Sequence, residues 1–318
     1  MKRIISLFII CIMLTSLVCS CSLLPENLTF CKVNFYVDGE LYDSKNVAIG
    51  QSVSEPAIPT KENHVFTGWV DSTATYKYDF SNKVISDIDL YACFTLDAVA
   101  FTNMITNQTI KSIVTVVNRS YRGSMIAGTS QGSGVVIDVS GGYCYVLTNN
   151  HVVENEVPNS KQVISVEDPW GNIYEAEIYK SPSKSDYAKS EKYDLALVCF
   201  KYSPANENVL LEIGLGEDPK VNEYVASLGT PAGLQNAITY GNIMAYQRIN
   251  ADEESSLNKI EFNIILHNAP IDHGSSGGAL VNAKGELVGI NFAGYREGSY
   301  GCAIPLSKVK EFLNLYVY

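Results

Sequence analysis

Short runs of apolar residues, separated by turn-forming residues, dominate this chain. Residues 32–37 alternate between apolar and polar, which is typical of a β-strand because successive side chains point to opposite faces, and the later continuous apolar runs are typical of buried strands. In the N-terminal part, Asp38-Gly39 after the first run predicts a hairpin. The pattern predicts an all-β protein, with strands that include 32–37, 64–69, 90–94, 112–117, 134–137, 143–147, 195–198, 224–228 and 287–290.

The C-terminal tail has a different period. Val309, Phe312, Leu313 and Tyr316 fall at helical spacing, and Ser307 stands where a capping residue would begin the helix. We expect this helix to pack on the body of the protein.

The chain of 318 residues is long enough for two domains. Residues 32–95 are predicted to form a first, small domain, and residues 96–103 a linker. Residues 104–318 carry many short strands with Gly-rich turns, which predicts barrels or a sandwich.

The first twenty residues read as a secretory signal. A cationic start, Met1-Lys2-Arg3, precedes an apolar run that is shorter than the about 20 residues a membrane span needs. Val18-Cys19-Ser20-Cys21 resembles a bacterial lipobox, which implies a signal at 1–20, a lipid on Cys21 and a tether at 21–31. Ordinary signal cleavage nearby, with an unmodified Cys21, is the alternative.

Composition narrows the classes of function. The net charge of −11 argues against nucleic acid as the main partner, because phosphate binding needs clustered cations. No CxxC pair occurs, so we expect no zinc site, and no motif calls for a cofactor.

Five cysteines remain beyond Cys21, so at least one has no intramolecular partner. Cys144 and Cys199 lie in apolar runs and are expected to be small buried hydrophobes. Cys31 and Cys93 bracket the first domain, and a disulfide between them is one expectation.

A nucleophile candidate lies in the glycine-rich segment 272–280. Ser276 is flanked by glycines where the backbone must turn sharply, and such a turn lets backbone N–H groups converge on an oxyanion. The segment also fits G-x-S-x-G, but that hydrolase motif needs a histidine after the serine, and none follows Ser276. Any histidine base must therefore precede Ser276.

His151, at the polar end of an apolar run, is the preferred base, because His267 and His273 lie on the same short segment as Ser276. Asp194 is the preferred acid, because a carboxylate that heads a buried strand needs a partner. Asp168 and Asp186 are weaker alternatives. Two other interpretations remain open at this point: His151 as a structural histidine, and the segment 272–280 as a surface turn.

The order His151, Asp194, Ser276 is that of chymotrypsin. With its neighbouring motifs, the region 104–318 resembles the trypsin-like serine proteases, most closely the HtrA/Deg branch. Those motifs are 132–137, 147–153, 193–197, 228–233, 274–282, 285–291 and 303–305. The resemblance implies two six-stranded β-barrels with the site in the cleft between them.

The resemblance also implies roles for single residues. Ser276 would be the nucleophile, His151 the base and Asp194 its orienting acid, with the oxyanion hole formed by the N–H groups of Gly274 and Ser276. Ser275 and Asp272-His273 depart from the family pattern, which puts the resting geometry of the oxyanion loop in question. About a dozen residues follow Pro305, so we expect no PDZ domain here.

The primary substrate pocket is also carried over from the family. Its base would be Pro270 and Ile271, and its wall Asn291, Phe292 and Gly294. None of these is acidic, so we expect a preference for small or medium apolar side chains.

The first domain resembles the Listeria–Bacteroides repeat, a small β-grasp-like module of bacterial surface proteins. The matching features are Val33, Phe35, Asp38-Gly39, Gly50, Pro56, Pro59, 66–69, 78–80 and 90–92. The module implies a cell-surface setting and no catalysis.

Two functions of different class follow. The first is a serine endopeptidase that is held at the cell surface by a lipid on Cys21 and acts on polypeptides. The second is a catalytically silent adhesion or binding lipoprotein on a protease fold. The sequence does not indicate an oligomeric state.

Overall fold

The structure is a computed structural model, which describes residues 29–73, 76–180, 189–204, 207–231, 236–248, 260–295 and 300–317. The expected signal peptide 1–20, Cys21 and Asp186 lie outside these residues. The chain divides into two compact units, Met1–Thr95 and Leu96–Tyr318, which are described separately. No helix among the described residues is long and apolar enough to cross a bilayer.

The first unit is a mixed four-stranded sheet. Its strands are β1 (Phe30–Val37), β2 (Glu40–Ala48), β3 (His64–Val70) and β4 (Ile88–Leu96), in the order β2-β1-β4-β3. Strand β1 is antiparallel to β2 and parallel to β4. The predicted hairpin is confirmed, because Asp38 and Gly39 both have positive φ, at 49° and 91°, between the paired strands β1 and β2.

One face of this sheet forms the core of the unit. Alternate residues of β1, Val33 and Phe35, are fully buried, and Trp69 packs edge-on against Phe35 with ring centroids 5.0 Å apart. Val53 and Val84, which lie outside the strands, complete the cluster. Trp69 is therefore a core residue of the first unit.

The expected Cys31–Cys93 disulfide is wrong, since both thiols are free. Strands β1 and β4 run parallel with Val33 opposite Ile88, so Cys31 and Cys93 lie at opposite ends of the pair. Cys31 also belongs to the core cluster, whereas Cys93 does not, and its neighbour Ala92 packs against that cluster instead. The strand register thus keeps the two sulfur atoms apart.

The second unit begins with a helix that the sequence did not predict. Residues 96–103 were expected to be a linker, but α1 spans Ala98–Asn107 and continues into a 3-10 turn, Thr109–Ser112. The Asp97 side chain accepts hydrogen bonds from the N–H groups of Val99 and Ala100, and so caps the helix. Phe101 and Ile105, one turn apart, are buried in the main core.

A first barrel of six strands follows. It consists of β5 (Ile113–Arg122), β6 (Met125–Ser140), β7 (Tyr143–Thr148), β8 (Lys161–Glu167), β9 (Ile173–Ile178) and β11 (Leu195–Lys201). The pairing of β11 with β9, at Val198 and Ile178, closes the ring, and the two-residue strand β10 (Lys189–Ser190) extends β11 at its outer edge. A short helix, α2 (Asn150–Val153), leaves the end of β7.

The second barrel is also closed by six strands. They are β12 (Tyr224–Gly229), β13 (Ala237–Gln247), β14 (Ile264–His267), β15 (Ala279–Val281), β16 (Leu287–Tyr295) and β17 (Tyr300–Pro305), in the order β12-β13-β14-β17-β16-β15. The two predicted six-stranded barrels are thus confirmed. One continuous hydrophobic cluster includes residues from both barrels and from the C-terminal helix.

The predicted C-terminal helix is confirmed as α3, Leu306–Tyr316, with Val309, Phe312 and Leu313 buried. Ser307 does not cap it, because the helix begins one residue earlier. The Asp218 carboxylate instead accepts a hydrogen bond from the Ser307 N–H at 2.8 Å. A side chain from 89 residues away thus binds an N–H group that the first turn cannot pair.

Cys144 and Cys199 behave as predicted. Both are buried, and burial raises the pKa of Cys144 to about 12 and that of Cys199 to about 11. Neither thiol is therefore ionised near neutral pH.

Candidate active site

An imidazole and a carboxylate are paired at the end of the first barrel. His151 Nδ1 lies 2.8 Å from Asp194 Oδ2, and the His151 N–H donates to Asp194 Oδ1 at 3.0 Å. The carboxylate side chain is only 8% exposed, whereas the histidine is 31% exposed. The buried acid can therefore fix the ring orientation while the other face of the ring remains accessible.

Neighbouring strands bring these two residues together. His151 lies in α2 directly after β7, and Asp194 directly precedes β11, which pairs with β7 through Thr148 and Ala196. Asp194 has a left-handed backbone with φ of 50°. The Asn149 side-chain amide donates to the Asp194 carbonyl at 2.9 Å, which helps to hold this conformation.

Opposing effects act on the pKa of His151. Burial lowers it, but the hydrogen bond and the negative charge of Asp194, together with the charges of Glu156 and Glu154, outweigh burial. The net result is a pKa above the usual value for histidine. Such an imidazole is a stronger proton acceptor than an isolated one.

Ser276 lies in a tight loop of the second barrel. The Ser275 N–H donates to the Asp272 carbonyl and the Gly278 N–H to the Ser275 carbonyl, each at 2.9 Å. Gly274 and Gly277 have φ of 96° and 84°, a region that favours glycine. Within the part of the chain that the structure describes, the N–H groups of Gly274 and Ser276 donate to no acceptor, so both are available to an oxyanion.

The Ser276 hydroxyl has a partner other than histidine. Its Oγ donates to the Phe292 carbonyl at 3.1 Å. No hydrogen bond joins Ser276 to His151 among the described residues. Attack by this hydroxyl would therefore require a rotation of the serine side chain toward His151.

Ser133 of β6 connects the first barrel to the Ser276 loop. Its N–H donates to the Ser276 carbonyl and its Oγ to the Gly274 carbonyl, both at 2.7 Å. Ser133 lies in the motif 132–137, but the sequence assigns it no role, because Gly274 and Ser276 lie more than 140 residues further along the chain. A serine between two glycines on a buried strand is the only local signal.

The competing residues have other environments. His267 is fully buried in the second barrel, where Nε2 pairs with Asn291 Oδ1 at 3.1 Å, and burial lowers its pKa to about 4. His273 is exposed. Asp168 accepts hydrogen bonds from Trp170, Asn172 and Tyr174, and so organises its own turn.

The predicted pocket residues separate into two groups. Pro270 and Ile271 line a cavity of about 260 Å³ in the second barrel. Asn291 and Phe292 are buried instead, and the Asn291 amide donates to the Ser227 hydroxyl and the Ala279 carbonyl. Gly294 is exposed at the end of β16. The assignment of these five residues to one substrate pocket stays a prediction.

The family model of the trypsin-like peptidase domain matches residues 132–290, half of the chain. The chain belongs to the trypsin-like peptidase family. The matched region of this trypsin-like peptidase contains His151, Asp194 and Ser276. A second model, the Listeria-Bacteroides repeat domain, matches residues 32–93 and confirms the resemblance of the first unit.

Similar proteins are also described as serine proteases. Serine protease HTRA4 of Mus musculus is 35% identical over 188 residues, which cover 59% of this chain and 35% of the relative. A probable serine protease do-like protein of Buchnera aphidicola is 40% identical over 187 residues, which cover 56% of this chain and 34% of the relative. This chain therefore spans about a third of the length of these relatives.

A solved structure supports the fold. The serine endoprotease from Yersinia pestis matches with a TM-score of 0.50 and 28% identity, over 68% of this chain and 65% of that one.

Proposed function

We propose that this trypsin-like peptidase is a serine endopeptidase that cleaves polypeptides through an acyl-enzyme on Ser276. The observation that carries the proposal is the 2.8 Å pair of His151 Nδ1 and the buried Asp194 carboxylate. The availability of the Gly274 and Ser276 N–H groups supports it further.

The proposed reaction has two halves. Ser276 Oγ attacks the peptide carbonyl and His151 Nε2 takes its proton, while the N–H groups of Gly274 and Ser276 bind the oxyanion. His151 then protonates the leaving amine, and the C–N bond breaks. Water hydrolyses the ester by the same route, which restores Ser276. Asp194 orients His151 and stabilises its charged form throughout.

Labelling with a fluorophosphonate probe tests this proposal. The wild type should be labelled on Ser276, and Ser276→Ala should lose both the label and roughly 10⁶-fold in turnover of casein, with unfolding unchanged. Ser120→Ala, which changes a buried serine of the first barrel, should keep the label. A folded wild type that is neither labelled nor active would favour a silent adhesion or binding lipoprotein.

The pocket assignment extends the proposal to specificity. Pro270, Ile271, Asn291, Phe292 and Gly294 include no acid to pair with a substrate cation. We expect a peptide library to be cleaved after small or medium apolar residues. A measured preference for Arg or Lys would refute this part alone.

The proposed location is the outer face of the cell membrane, with a lipid on Cys21. The lipobox-like segment Val18 to Cys21 and the Listeria-Bacteroides repeat support it. Metabolic labelling with a tagged fatty acid should mark the wild type but not Cys21→Ser. Equal labelling of both would contradict the anchor.

A further inference from the structure

Tyr193, the residue directly before the proposed catalytic acid, is held by the C-terminal helix. Tyr193 is only 1% exposed, and its hydroxyl donates to Glu311 Oε1 in α3 at 2.5 Å. Its ring packs against Phe312 and Tyr316 of the same helix, with centroids 6.2 Å and 6.4 Å away. One side chain thus joins the Asp194 segment to a helix that follows the second barrel.

Two further contacts strengthen this connection. Lys308 Nζ lies 2.6 Å from Glu311 Oε2, so the second oxygen of the carboxylate is also engaged. Ser190 Oγ lies 3.5 Å from the Tyr316 hydroxyl, which links the same segment to the last turn of α3. Burial and the bond to Glu311 raise the pKa of Tyr193, so its hydroxyl remains protonated and able to donate.

The backbone of Asp194 adopts an uncommon conformation. Its φ of 50° lies in the left-handed region, which residues other than glycine seldom adopt, although aspartate and asparagine adopt it more readily than most. Asn149 holds this residue from the first barrel through its carbonyl. Tyr193 adjoins Asp194 on its N-terminal side, and its contacts with α3 restrain the backbone there.

We infer that Glu311 and Tyr193 are positioning residues, through which the C-terminal helix sets the orientation of Asp194 against His151. The inference rests on the proposed function. It predicts that kcat depends on the contacts of α3 with Tyr193, although α3 itself carries none of the proposed catalytic residues. Misplacement of a catalytic group by about 1 Å can cost about 100-fold in rate, so a partial loss of restraint should be measurable.

Kinetics of matched variants test the inference. Tyr193→Phe and Glu311→Ala should each lower kcat about tenfold with KM unchanged, and the double variant should lose no more than either single one. Glu311→Gln keeps an acceptor for the tyrosine hydroxyl, so its kcat should be close to that of the wild type and not to that of Glu311→Ala. The acid limb of the pH profile should move to lower pH in the impaired variants, because a displaced Asp194 raises the pKa of His151 less.

Tyr174→Phe is the control. The Tyr174 hydroxyl also donates to a carboxylate, that of Asp168, but Tyr174 lies on β9, which carries none of the proposed triad. This variant should keep the wild-type kcat and pH profile. If the wild type is active and Tyr193→Phe and Glu311→Ala have the same kcat and pH profile as Tyr174→Phe, the inference is overturned and the proposed function is left intact.

Proton NMR provides a readout that does not need activity. The low-field resonance of the His151 Nδ1 proton should broaden or shift upfield in Tyr193→Phe and not in Tyr174→Phe. An unchanged resonance in Tyr193→Phe would overturn the inference even if the wild type proved inactive, whereas failure of wild-type labelling would overturn the proposed function.

Discussion

The hydroxyl of Ser133 donates to the carbonyl oxygen of Gly274 at 2.7 Å, and so joins the first barrel to the proposed oxyanion loop of the second. The Ser133 Oγ also accepts from the Thr230 N–H at 2.8 Å. The Gly274–Ser275 peptide lies between the two N–H groups that would bind the oxyanion. Ser133 therefore restrains this loop from the first barrel.

Ser133→Ala should lower kcat about tenfold, because the loop loses a restraint on its orientation. It should also lower the free energy of unfolding by about 1–3 kcal/mol, since the Thr230 N–H and the Gly274 carbonyl are left unpaired. Ser120→Ala removes another buried hydroxyl, one that donates to Asn155, and should reduce stability without lowering kcat. Equal kcat values for the two variants would argue against the restraint.

The pH dependence of activity should report the His151–Asp194 pair. Because Asp194 raises the pKa of His151, kcat/KM should rise with pH through a midpoint above about 6.5, as His151 loses its proton. Asp194→Asn should move this midpoint to lower pH and reduce kcat by about 10⁴-fold, since the amide does not stabilise the imidazolium.

Asp168→Asn is the control for this series. It changes another buried aspartate of the first barrel, whose partners all lie in its own turn and the strand that follows. The pH midpoint of Asp168→Asn should equal that of the wild type. A midpoint in Asp194→Asn that does not move would contradict the assigned pairing.

Strand periodicity and motif order reveal much of this molecule in advance. The alternation in Val33 and Phe35 predicts a strand because one face is buried, whereas the continuous apolar runs of both barrels predict strands that are buried on both faces. The candidate triad was also accessible from the sequence, because no histidine follows Ser276, only His151 among the earlier candidate bases lies on a separate segment, and Asp194 heads a buried strand. All of these features can be recognised from short stretches of sequence or from the order of the motifs along the chain.

Contacts that depend on docking were not predictable. Ser133 and Gly274 are 141 residues apart, and Tyr193 and Glu311 are 118 apart, so no local pattern relates them. Helix α1 was missed because only Phe101 and Ile105 of its ten residues are buried, which is a weak periodic signal. The Cys31–Cys93 expectation failed because parallel pairing of β1 and β4 is a tertiary choice.

Acid should destabilise the second barrel through His267. The His267 ring is fully buried against Gly301, where an added Cβ would lie 2.1 Å from His267 Cε1. Burial lowers the pKa of His267 from 6.5 to about 4 in the folded protein, whereas the unfolded chain titrates near the ordinary value. Between these two values the unfolded state binds the extra proton. Stability should therefore fall as the pH drops from about 6.5 to about 4, by about 3 kcal/mol from this residue.

Urea unfolding at pH 7 and pH 4.5 measures this effect. His267→Gln keeps a polar side chain beside Asn291 but does not titrate, so its loss of stability between the two pH values should be smaller than that of the wild type. His64→Gln, which changes a partly exposed histidine of the first unit, should retain the full wild-type loss. The substitution His267→Gln removes only one titratable group, the imidazole that stays neutral in the folded state. If this variant loses as much stability on acidification as the wild type, the acid sensitivity therefore has another source.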